Sequence, residues 1–342
     1  MRRAKQLFDQ IIDRDNLREA FARAIKGKRD RHETREFAED LENRLDRISE
    51  GLRTESIVIG QFHQFVIHDP KRRIITAPCF TERVVHHAVM NVCEPIFERW
   101  LIHDSYACRR GKGRIAALVR AQKFSRQHPA YFQFDIGKYF DSIPHDLLLS
   151  RLSRLFSDRR LLALMTRIVR NFRGDLGVGL PIGALTSQHL ANCYLGSLDR
   201  FVKEELRITG YVRYMDDMVL WGGSPSELRS VAARCIHFLG TELRLKTKAE
   251  PKINWTAHGI GFLGCRVFPS HMTLNRRSKI RFRRKLVELE SGIQTGALAE
   301  RESQQRGQAL VAFTKAGGVK SWNWRTRVLR LITVNGHKAR TG

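Results

Sequence analysis

The sequence contains no apolar run long enough to cross a lipid bilayer, so we expect no membrane-spanning segment. Its first residues are basic, but no apolar signal core follows them, which argues against a secretory signal in this stretch. The six cysteines are dispersed and never form a Cys-x-x-Cys pair, so neither a structural zinc site nor a disulfide framework is expected. We therefore expect a cytoplasmic protein from a reducing compartment, without a membrane partner.

Acidic residues are scarce in this chain. Against 61 Lys and Arg stand 35 Asp and Glu, which gives a formal net charge of +26. Such an excess indicates a polyanionic partner, and nucleic acid is favoured over an acidic membrane because no amphipathic anchor stands out. From Arg276 to Gly342, 16 Lys/Arg and 4 Asp/Glu leave a net charge of +12. The alternative is a basic surface that only keeps the protein soluble.

Internal repeats and long low-complexity linkers are also lacking. The 342 residues suffice for one large domain or two to three modest ones. Strands interspersed with helices, several beside tight turns, predict an α+β fold with helices on one side of an antiparallel sheet. The expected helices cover residues 7–25, 37–52, 81–100, 161–172, 187–205, 224–239 and 278–290, with a further helix after residue 144. The expected strands lie in a hairpin over 61–76, at 131–136, on both sides of residues 216–217, and in a unit over 259–268.

Two adjacent aspartates interrupt an apolar stretch in the segment Tyr214-Met215-Asp216-Asp217. Successive strand residues point to opposite faces, so Asp216 and Asp217 can act together only at the tip of a tight hairpin. Like charges held this close repel each other, which favours a bound cation between them. The alternative is an ordinary turn, because aspartate is common in turns.

Another carboxylate, Asp135, ends an apolar strand in the segment Phe134-Asp135-Ile136-Gly137-Lys138-Tyr139-Phe140. Three carboxylates from two adjacent strands would hold two Mg²⁺ ions, and the carbonyl of Ile136 would complete the coordination. Two ions about 3.5–4 Å apart stabilise the attacking and leaving oxygens of an in-line phosphoryl transfer. The alternative for Asp135 is a simple strand-end cap.

These two segments resemble motifs A and C of reverse transcriptases. The remaining motifs of that family follow in its order, between about Phe62 and Pro269. Residues 70–75 and 81–87 resemble the fingers motifs, 179–188 resemble motif B, 245–248 motif D, and 261–264 motif E, the primer grip. Motifs A to E together with the fingers motifs, all in order, are far more specific than any one of them alone.

The resemblance implies RNA-directed DNA polymerase activity with two Mg²⁺ ions, for which Mn²⁺ could substitute. Asp135, Asp216 and Asp217 would be catalytic and would bind the metals together with Ile136. The implied nucleotide-binding residues are Lys71, Arg73, Phe140, Ile182, Gly183, Gln188 and Lys246, with Phe140 as the steric gate against a ribose 2′-hydroxyl and Lys248 as an alternative to Lys246 for protonating pyrophosphate. The implied nucleic-acid-binding residues are Phe262, Leu263, Gly264, Arg276, Arg277, Lys279, Arg281, Arg283 and Arg284.

The family's fold is a right-hand polymerase with an antiparallel-sheet palm, fingers made of helices and a hairpin, and here a short helical thumb. On this chain the resemblance implies N-terminal helices and fingers over residues 1–130, a palm over 131–270 and a basic thumb over 271–342. Part of 145–180 would pack with the fingers. In the thumb helix, Ile280, Leu286 and Val287 are expected to pack inward while the cations face phosphates. Trp322 and Trp324 would either stack on bases or anchor the thumb in a core.

Within the family, the residues of motif B help to distinguish one type of reverse transcriptase from another. Many members place glutamine before the motif B glycine, whereas this chain has Ile182. The run Ile182-Gly183-Ala184-Leu185-Thr186-Ser187-Gln188, Tyr106-Ala107-Cys108-Arg109 and residues 259–269 resemble reverse transcriptases of diversity-generating retroelements. That resemblance implies error-prone copying opposite template adenines in a bacterial or phage setting. The implied partners are a template RNA, the RNA/DNA heteroduplex, deoxynucleoside triphosphates and a small basic oligomeric accessory protein.

The same motifs are compatible with other functions. A group II intron, retron or phage-defence reverse transcriptase would share the same motifs. Intron enzymes usually continue into further domains after motif E, retron enzymes carry an Asn-Ala-x-x-His element that this sequence lacks, and both more often have alanine where Met215 stands. A catalytically dead nucleic-acid-binding scaffold is the non-enzyme alternative, although all three carboxylates are present.

Overall fold

The computed structural model describes residues 3–68, 72–173, 176–315 and 322–338. The chain forms two compact units, each assembled from separate segments. The first unit comprises Met1–His103, Ile136–Glu205 and Arg234–Ala249, and the second comprises Asp104–Asp135, Leu206–Ala233 and Glu250–Gly342. Helix α11 (Pro225–Glu242), predicted over residues 224–239, begins in the second unit and ends in the first.

The first unit is mainly helical. Its helices are α1 (Phe8–Ile12), α2 (Arg14–Ala24), α3 (His32–Glu39), α4 (Leu41–Arg53), α5 (Phe80–Trp100), α7 (Tyr139–Ser142), α8 (His145–Leu155), α9 (Arg159–Arg170) and α10 (Leu185–Arg200), the last continuing into a π-helical turn (Phe201–Glu205). The single helical region predicted over 7–25 is broken at Asp13. Its carboxylate accepts hydrogen bonds from the backbone N–H groups of Asp15 and Asn16 and so begins a new helix.

A two-stranded antiparallel ribbon completes the first unit. Strands β1 (Phe62–Ile67) and β2 (Arg73–Pro78) pair in register from Phe62 opposite Pro78 to Ile67 opposite Arg73. This confirms the hairpin predicted from alternating apolar and polar residues. Most of its side chains are exposed, so the ribbon gains little from burial by itself.

The second unit is built on a four-stranded antiparallel sheet in the order β4-β5-β3-β6. Its strands are β3 (Ala130–Asp135), β4 (Gly210–Tyr214), β5 (Asp217–Gly222) and β6 (Lys252–Trp255). Tyr131, Val212, Val219 and Trp221 join its main core, which also takes in residues of α6 (Arg114–Gln127). Helix α6 was not among the predicted elements. Three of its five buried residues are the small Ala117, Ala121 and Ser125, so the stripe that packs on the sheet is weakly apolar in the sequence.

A three-stranded antiparallel sheet, β7-β8-β9, follows in the second unit. The unit predicted over 259–268 is in fact a hairpin of β7 (Ile260–Phe262) and β8 (Cys265–Val267), which β9 (Met272–Leu274) extends. The basic helix is longer than predicted and forms α12 (Arg276–Gln294). Two further helices, α13 (Glu300–Lys315) and α14 (Trp322–Lys338), lie in the tail that has little apolar periodicity.

Helices and antiparallel strands in separate segments confirm the predicted α+β class. Among the described residues, no helix combines the length and apolar character needed to cross a membrane. The predicted division at residues 130/131 and 270/271 remains a prediction.

Candidate catalytic centre and nucleic-acid contacts

The two adjacent aspartates lie at a tight hairpin tip, as predicted. Tyr214 of β4 pairs with Asp217 of β5, so Met215 and Asp216 form a two-residue loop. Met215 adopts φ +56°, a left-handed conformation that is unfavourable for a bulky residue. Strain of this kind persists only where the surroundings enforce it, and it is concentrated at functional sites.

Arg213 enforces the loop conformation from inside the unit. Its guanidinium is fully buried and donates a hydrogen bond of 3.1 Å to the carbonyl of Met215. Its backbone also pairs with a neighbouring segment. The N–H of Arg213 donates 3.0 Å to the backbone carbonyl of Asp104, and the carbonyl of Arg213 accepts 2.9 Å from the N–H of Tyr106. The Asp104 carboxylate in turn accepts hydrogen bonds from Arg120 at 2.8 and 3.1 Å. The segment beginning at Asp104 therefore braces the hairpin from the edge of β4.

Asp135 lies directly opposite Asp217. The two residues are register partners on neighbouring antiparallel strands β3 and β5, so their side chains share one face of the sheet. All three aspartates, Asp135, Asp216 and Asp217, are partly exposed, and none points into a dry apolar interior. Opposed like charges destabilise a sheet unless a cation offsets them, so the pair has the chemistry of a divalent-cation site.

The three aspartates do not form a ready-made metal cage. Within the described part of the chain, no group of three or more His, Cys, Asp or Glu side chains is arranged to hold a metal ion. The pair Asp135 and Asp217 fits one hard cation by its oxygen donors and its register, with Asp216 adjacent in the loop. A two-ion centre would need further oxygen ligands, which a nucleotide's phosphates supply in this chemistry.

Beyond Asp135 the chain pairs with motif D inside the first unit. Ile136 forms an antiparallel bridge with Thr247, and the N–H of Gly137 donates 2.9 Å to the carbonyl of Lys246. The side chain of Ile136 is buried, while those of Lys246 and Lys248 are exposed. This pairing fixes the backbone of motif D against motif A. It favours neither Lys246 nor Lys248 as the predicted proton donor.

Phe140 is only partly buried, unlike a core aromatic. Its ring meets the ring of Tyr139 edge-to-face with centroids 5.7 Å apart, and the Tyr139 hydroxyl donates to the carbonyl of Ala191 at 2.5 Å. The backbone carbonyl of Phe140 accepts a hydrogen bond of 2.7 Å from the N–H of Leu180. Motif A is thus tied to motif B through Leu180 and to helix α10 through Ala191, on either side of a ring that solvent reaches.

The close contact between residue 183 and β2 requires a glycine. Gly183 adopts φ +133°, and a Cβ added there would lie 2.8 Å from Cγ2 of Ile75 and 2.9 Å from the carbonyl oxygen of Thr76. The N–H of Thr76 donates 2.7 Å to the carbonyl of Ile182. The absence of a side chain at Gly183 therefore allows a close approach to β2 of the β1–β2 ribbon. Ile182 is half-buried and Gln188 is exposed.

Of the two hairpin cations, only one can be placed. Arg73 begins β2 opposite Ile67 and is exposed. Lys71 lies outside the described residues. The exposure of Arg73 agrees with a contact to an anionic ligand and equally with a solvated charge.

The primer-grip segment forms the β7–β8 hairpin, and its tip is Leu263-Gly264. Both residues have positive φ, +47° and +81°, as a two-residue hairpin of the primed type requires. Arg114 of α6 holds the tip by donating 2.8 Å to the carbonyl of Leu263. Phe262 is fully buried, because its place in the strand turns its side chain into the core. Its predicted role in nucleic-acid binding stays a prediction, and only its backbone is available for such a contact.

Helix α12 displays most of the predicted cations. Its exposed basic residues are Arg276, Arg277, Lys279, Arg283 and Arg284. Arg281 is half-buried, with its guanidinium 5.2 Å from the ring centroid of Phe313. The expectation that Ile280 and Val287 pack inward is wrong, since they are 58% and 61% exposed.

The inward face of α12 carries Phe282, Leu286 and Leu289, which are spaced three or four residues apart. Trp324 stacks on Phe282 with ring centroids 5.0 Å apart, so it serves as a core anchor and not as a free stacking platform. The side chain of Trp322 lies outside the described residues.

Three residues that position these elements escaped the sequence analysis. Arg213 and Gln133 are polar residues inside otherwise apolar strands, and Arg114 begins a helix that was not predicted. A polar group within an apolar strand needs a hydrogen-bond partner, so the strand pattern itself contained a signal for Arg213 and Gln133.

Comparison with known proteins places these motifs in a family context. A family profile described as "Reverse transcriptase (RNA-dependent DNA polymerase)" matches residues 68–267, more than half of the chain. The chain is 27% identical over 253 residues to Protein YkfC of Escherichia coli (strain K12), covering 61% of this chain and 65% of YkfC. It is 27% identical over 138 residues to the group II intron-encoded protein LtrA of Lactococcus lactis subsp. cremoris, covering 39% of this chain and 23% of LtrA.

Among solved structures, apo telomerase from Candida tropicalis, truncated from its C-terminal domain, aligns with a TM-score of 0.49 at 11% identity. That alignment covers 64% of this chain and 55% of the telomerase chain. The chain spans slightly under two thirds of YkfC and about a quarter of LtrA.

Proposed function

Because this chain belongs to the reverse transcriptase (RNA-dependent DNA polymerase) family, we propose that it copies an RNA template into DNA through Asp135, Asp216 and Asp217. Membership confirms the predicted right-hand polymerase fold, and RNA-directed DNA polymerisation is the activity of the family. The observation that supports this choice of residues is the register of Asp135 against Asp217, with Asp216 in the adjoining loop.

The chemistry is an in-line displacement in which the primer 3′-hydroxyl attacks the α-phosphorus and pyrophosphate departs. Divalent ions, when bound, lower the pKa of the hydroxyl and offset the charge of the triphosphate. Asp135 and Asp217 would hold such ions through carboxylate oxygens, and the carbonyl of Ile136 would add a further oxygen. Either Lys246 or Lys248 would give a proton to the departing pyrophosphate.

The nucleotide-binding assignments follow the same proposal. Arg73 and Lys71 would contact the triphosphate, and Phe140 would occupy the space that a ribose 2′-hydroxyl needs. The partial exposure of Phe140 supports this role over that of a core aromatic. The exposed cations of α12 would bind phosphates of the heteroduplex, with affinity that falls steeply with salt.

Primer extension on an RNA template with Mg²⁺ tests the proposal. The wild-type protein should extend the primer, whereas Asp216→Ala should not. Asp146→Asn is a matched control, because Asp146 is an exposed carboxylate that pairs with Arg244 at 2.8 Å in the first unit. An active Asp216→Ala variant would contradict the assignment. A wild-type protein that binds primer and template without extending the primer would favour the dead-scaffold alternative.

The subtype that we propose is the diversity-generating retroelement enzyme, which works with a structured template RNA and a small basic oligomeric protein. Ile182 supports it. An apolar side chain at this motif B position cannot make the hydrogen bond that glutamine would, so it holds base-pair geometry less tightly. Ile182→Gln should therefore lower misincorporation opposite template adenines, measured by sequencing the cDNA. Unchanged errors opposite adenine would remove this explanation.

A group II intron-encoded reverse transcriptase is the second candidate, and the similarity to LtrA favours it. The DNA around the gene discriminates between the two candidates. A near-identical repeat pair that differs mainly at adenines supports the retroelement enzyme, and a surrounding group II intron supports the intron enzyme.

A further inference from the structure

The side-chain amide of Gln133 links a proposed catalytic carboxylate to the primer-grip hairpin. Its nitrogen, Nε2, donates 3.2 Å to Oδ1 of Asp217 and 2.9 Å to the carbonyl oxygen of Gly261. An amide nitrogen carries two N–H groups, so both hydrogen bonds can form at once. One side chain therefore connects the four-stranded sheet with the hairpin of β7 and β8.

The sheet geometry explains how Gln133 reaches both partners. Gln133 and Asp135 are two residues apart on β3, so they lie on the same face. Because Asp135 is the register partner of Asp217, Gln133 lies diagonally across from Asp217, within reach of a long side chain. Gly261 is the middle residue of β7, two residues before Leu263 at the hairpin tip.

The residue type suits this position. Gln133 sits in the strand sequence Ala-Tyr-Phe-Gln-Phe-Asp, in which the neighbouring Phe132 and Phe134 are buried. Removing an amide from water between these apolar residues costs free energy unless its N–H groups are hydrogen-bonded. The bonds to Asp217 and Gly261 use both N–H groups. An amide is also neutral, so it fixes the orientation of Asp217 without cancelling the negative charge that a cation needs.

We propose that Gln133 is a positioning residue that sets the orientation of Asp217 relative to the primer-grip hairpin. The inference rests on the proposed metal-binding role of Asp217. Partners of ligating carboxylates typically change metal affinity or activity 10–100-fold when they are removed. Loss of the amide should therefore weaken divalent-ion binding and slow the chemical step, while binding of the incoming nucleotide is little changed.

The test uses Gln133→Leu, which keeps the size and removes both donors, and Gln133→Asn, which keeps an amide one methylene shorter. Gln122→Leu is a matched control, because the Gln122 amide donates 3.4 Å to the carbonyl of Phe268 and contacts no carboxylate of the centre. Mn²⁺ affinity is measured by electron paramagnetic resonance in a complex with a dideoxy-terminated primer, RNA template and the next deoxynucleotide. Hydrogen exchange of the amides of residues 260–267 is measured in the same variants.

Both Gln133 variants should bind Mn²⁺ about 10–100-fold more weakly than wild type and exchange the hairpin amides faster. Their kcat should fall with KM for the nucleotide unchanged, and Gln122→Leu should match wild type in every measurement. Wild-type Mn²⁺ affinity and exchange in both Gln133 variants would overturn the inference. Asp217→Asn separates the role of Gln133 from that of Asp217. If Asp217→Asn and both Gln133 variants all bind Mn²⁺ like wild type, the proposed role of Asp217 is wrong. If only Asp217→Asn binds Mn²⁺ weakly, the role of Gln133 is overturned and that of Asp217 stands.

Discussion

Asp135, the last residue of β3, lies in register with Asp217, the first residue of β5, so two carboxylates face each other across neighbouring strands. Like charges directly opposite each other repel and lower the stability of a sheet, and a bound cation would offset this repulsion. The proposed binding of a cation would account for this arrangement, at a cost in stability. Active sites commonly trade stability for function in this way.

Asp217→Asn should stabilise the metal-free protein. The asparagine removes the repulsion with Asp135 and keeps the Oδ1 oxygen that accepts from Gln133. The expected gain is about 0.2–1 kcal/mol, measured by urea unfolding in the presence of a chelator. Asp146→Asn, which breaks an ion pair with Arg244, should show no gain. A metal-free Asp217→Asn protein less stable than wild type would contradict this explanation.

Gly183→Ala should disrupt the contact between motif B and the fingers hairpin. Its Cβ would lie 2.8 Å from Cγ2 of Ile75 and 2.9 Å from the carbonyl of Thr76, and φ +133° is strained for alanine. We expect a destabilisation of roughly 1–3 kcal/mol and a loss of nucleotide incorporation. Gly240→Ala, in open space on α11, should be neutral or stabilising by up to about 1 kcal/mol. Equal behaviour of the two variants would show that Gly183 is not conformationally required.

Two arginines of α12 should respond differently to truncation. Arg277 is exposed, so Arg277→Ala should leave the fold intact and reduce the salt dependence of heteroduplex binding by about one ion. Arg281 packs on Phe313, so Arg281→Ala should lower the unfolding midpoint instead. Binding titrations at several salt concentrations and thermal unfolding measure the two effects. An unchanged salt slope for Arg277→Ala would exclude it from the phosphate contacts.

His87 should make stability sensitive to acid. Burial, aided by the charge of Arg23, lowers the pKa of His87 from 6.5 to about 4. The unfolded chain binds this proton below about pH 6.5 and the folded chain only near pH 4, so stability falls as the pH falls between these values. With allowance for solvent screening, the loss is on the order of 1–2 kcal/mol.

Urea unfolding of wild type and His87→Gln at pH 7 and pH 4.5 measures this contribution. The stability difference between the two proteins should shift in favour of His87→Gln at the lower pH. A difference that is the same at both pH values would mean that His87 is not held neutral by its surroundings.

The elements around the proposed centre were predictable because each has a strong local signal. The apolar strand before Asp135 and the paired aspartates after Tyr214 predict two strand ends, and the observed sheet places those strands side by side. Alternation of apolar and polar residues likewise predicted the fingers hairpin.

The parts that escaped prediction depend on tertiary contacts. The resemblance implied that Phe262 binds nucleic acid and gave no burial for it, whereas strand alternation places its side chain in the core. Ile280 and Val287 fit an apolar stripe as well as Phe282 does, and only packing against α13 and α14 decides which face turns inward. The hydrogen bond from Arg213 to the carbonyl of Met215 joins residues only two positions apart. Its effect on the loop follows only once the left-handed conformation of Met215 is known.

Single-nucleotide incorporation by Asp135→Asn, Asp217→Asn and the double variant tests the central claim most directly. If the two carboxylates serve one centre, either single substitution should lower the rate to the level of the double variant, because residues that act as a unit are not additive. All three proteins should still bind primer and template. A single variant that incorporates nucleotides at the wild-type rate would contradict the claim that Asp135 and Asp217 form the reaction centre.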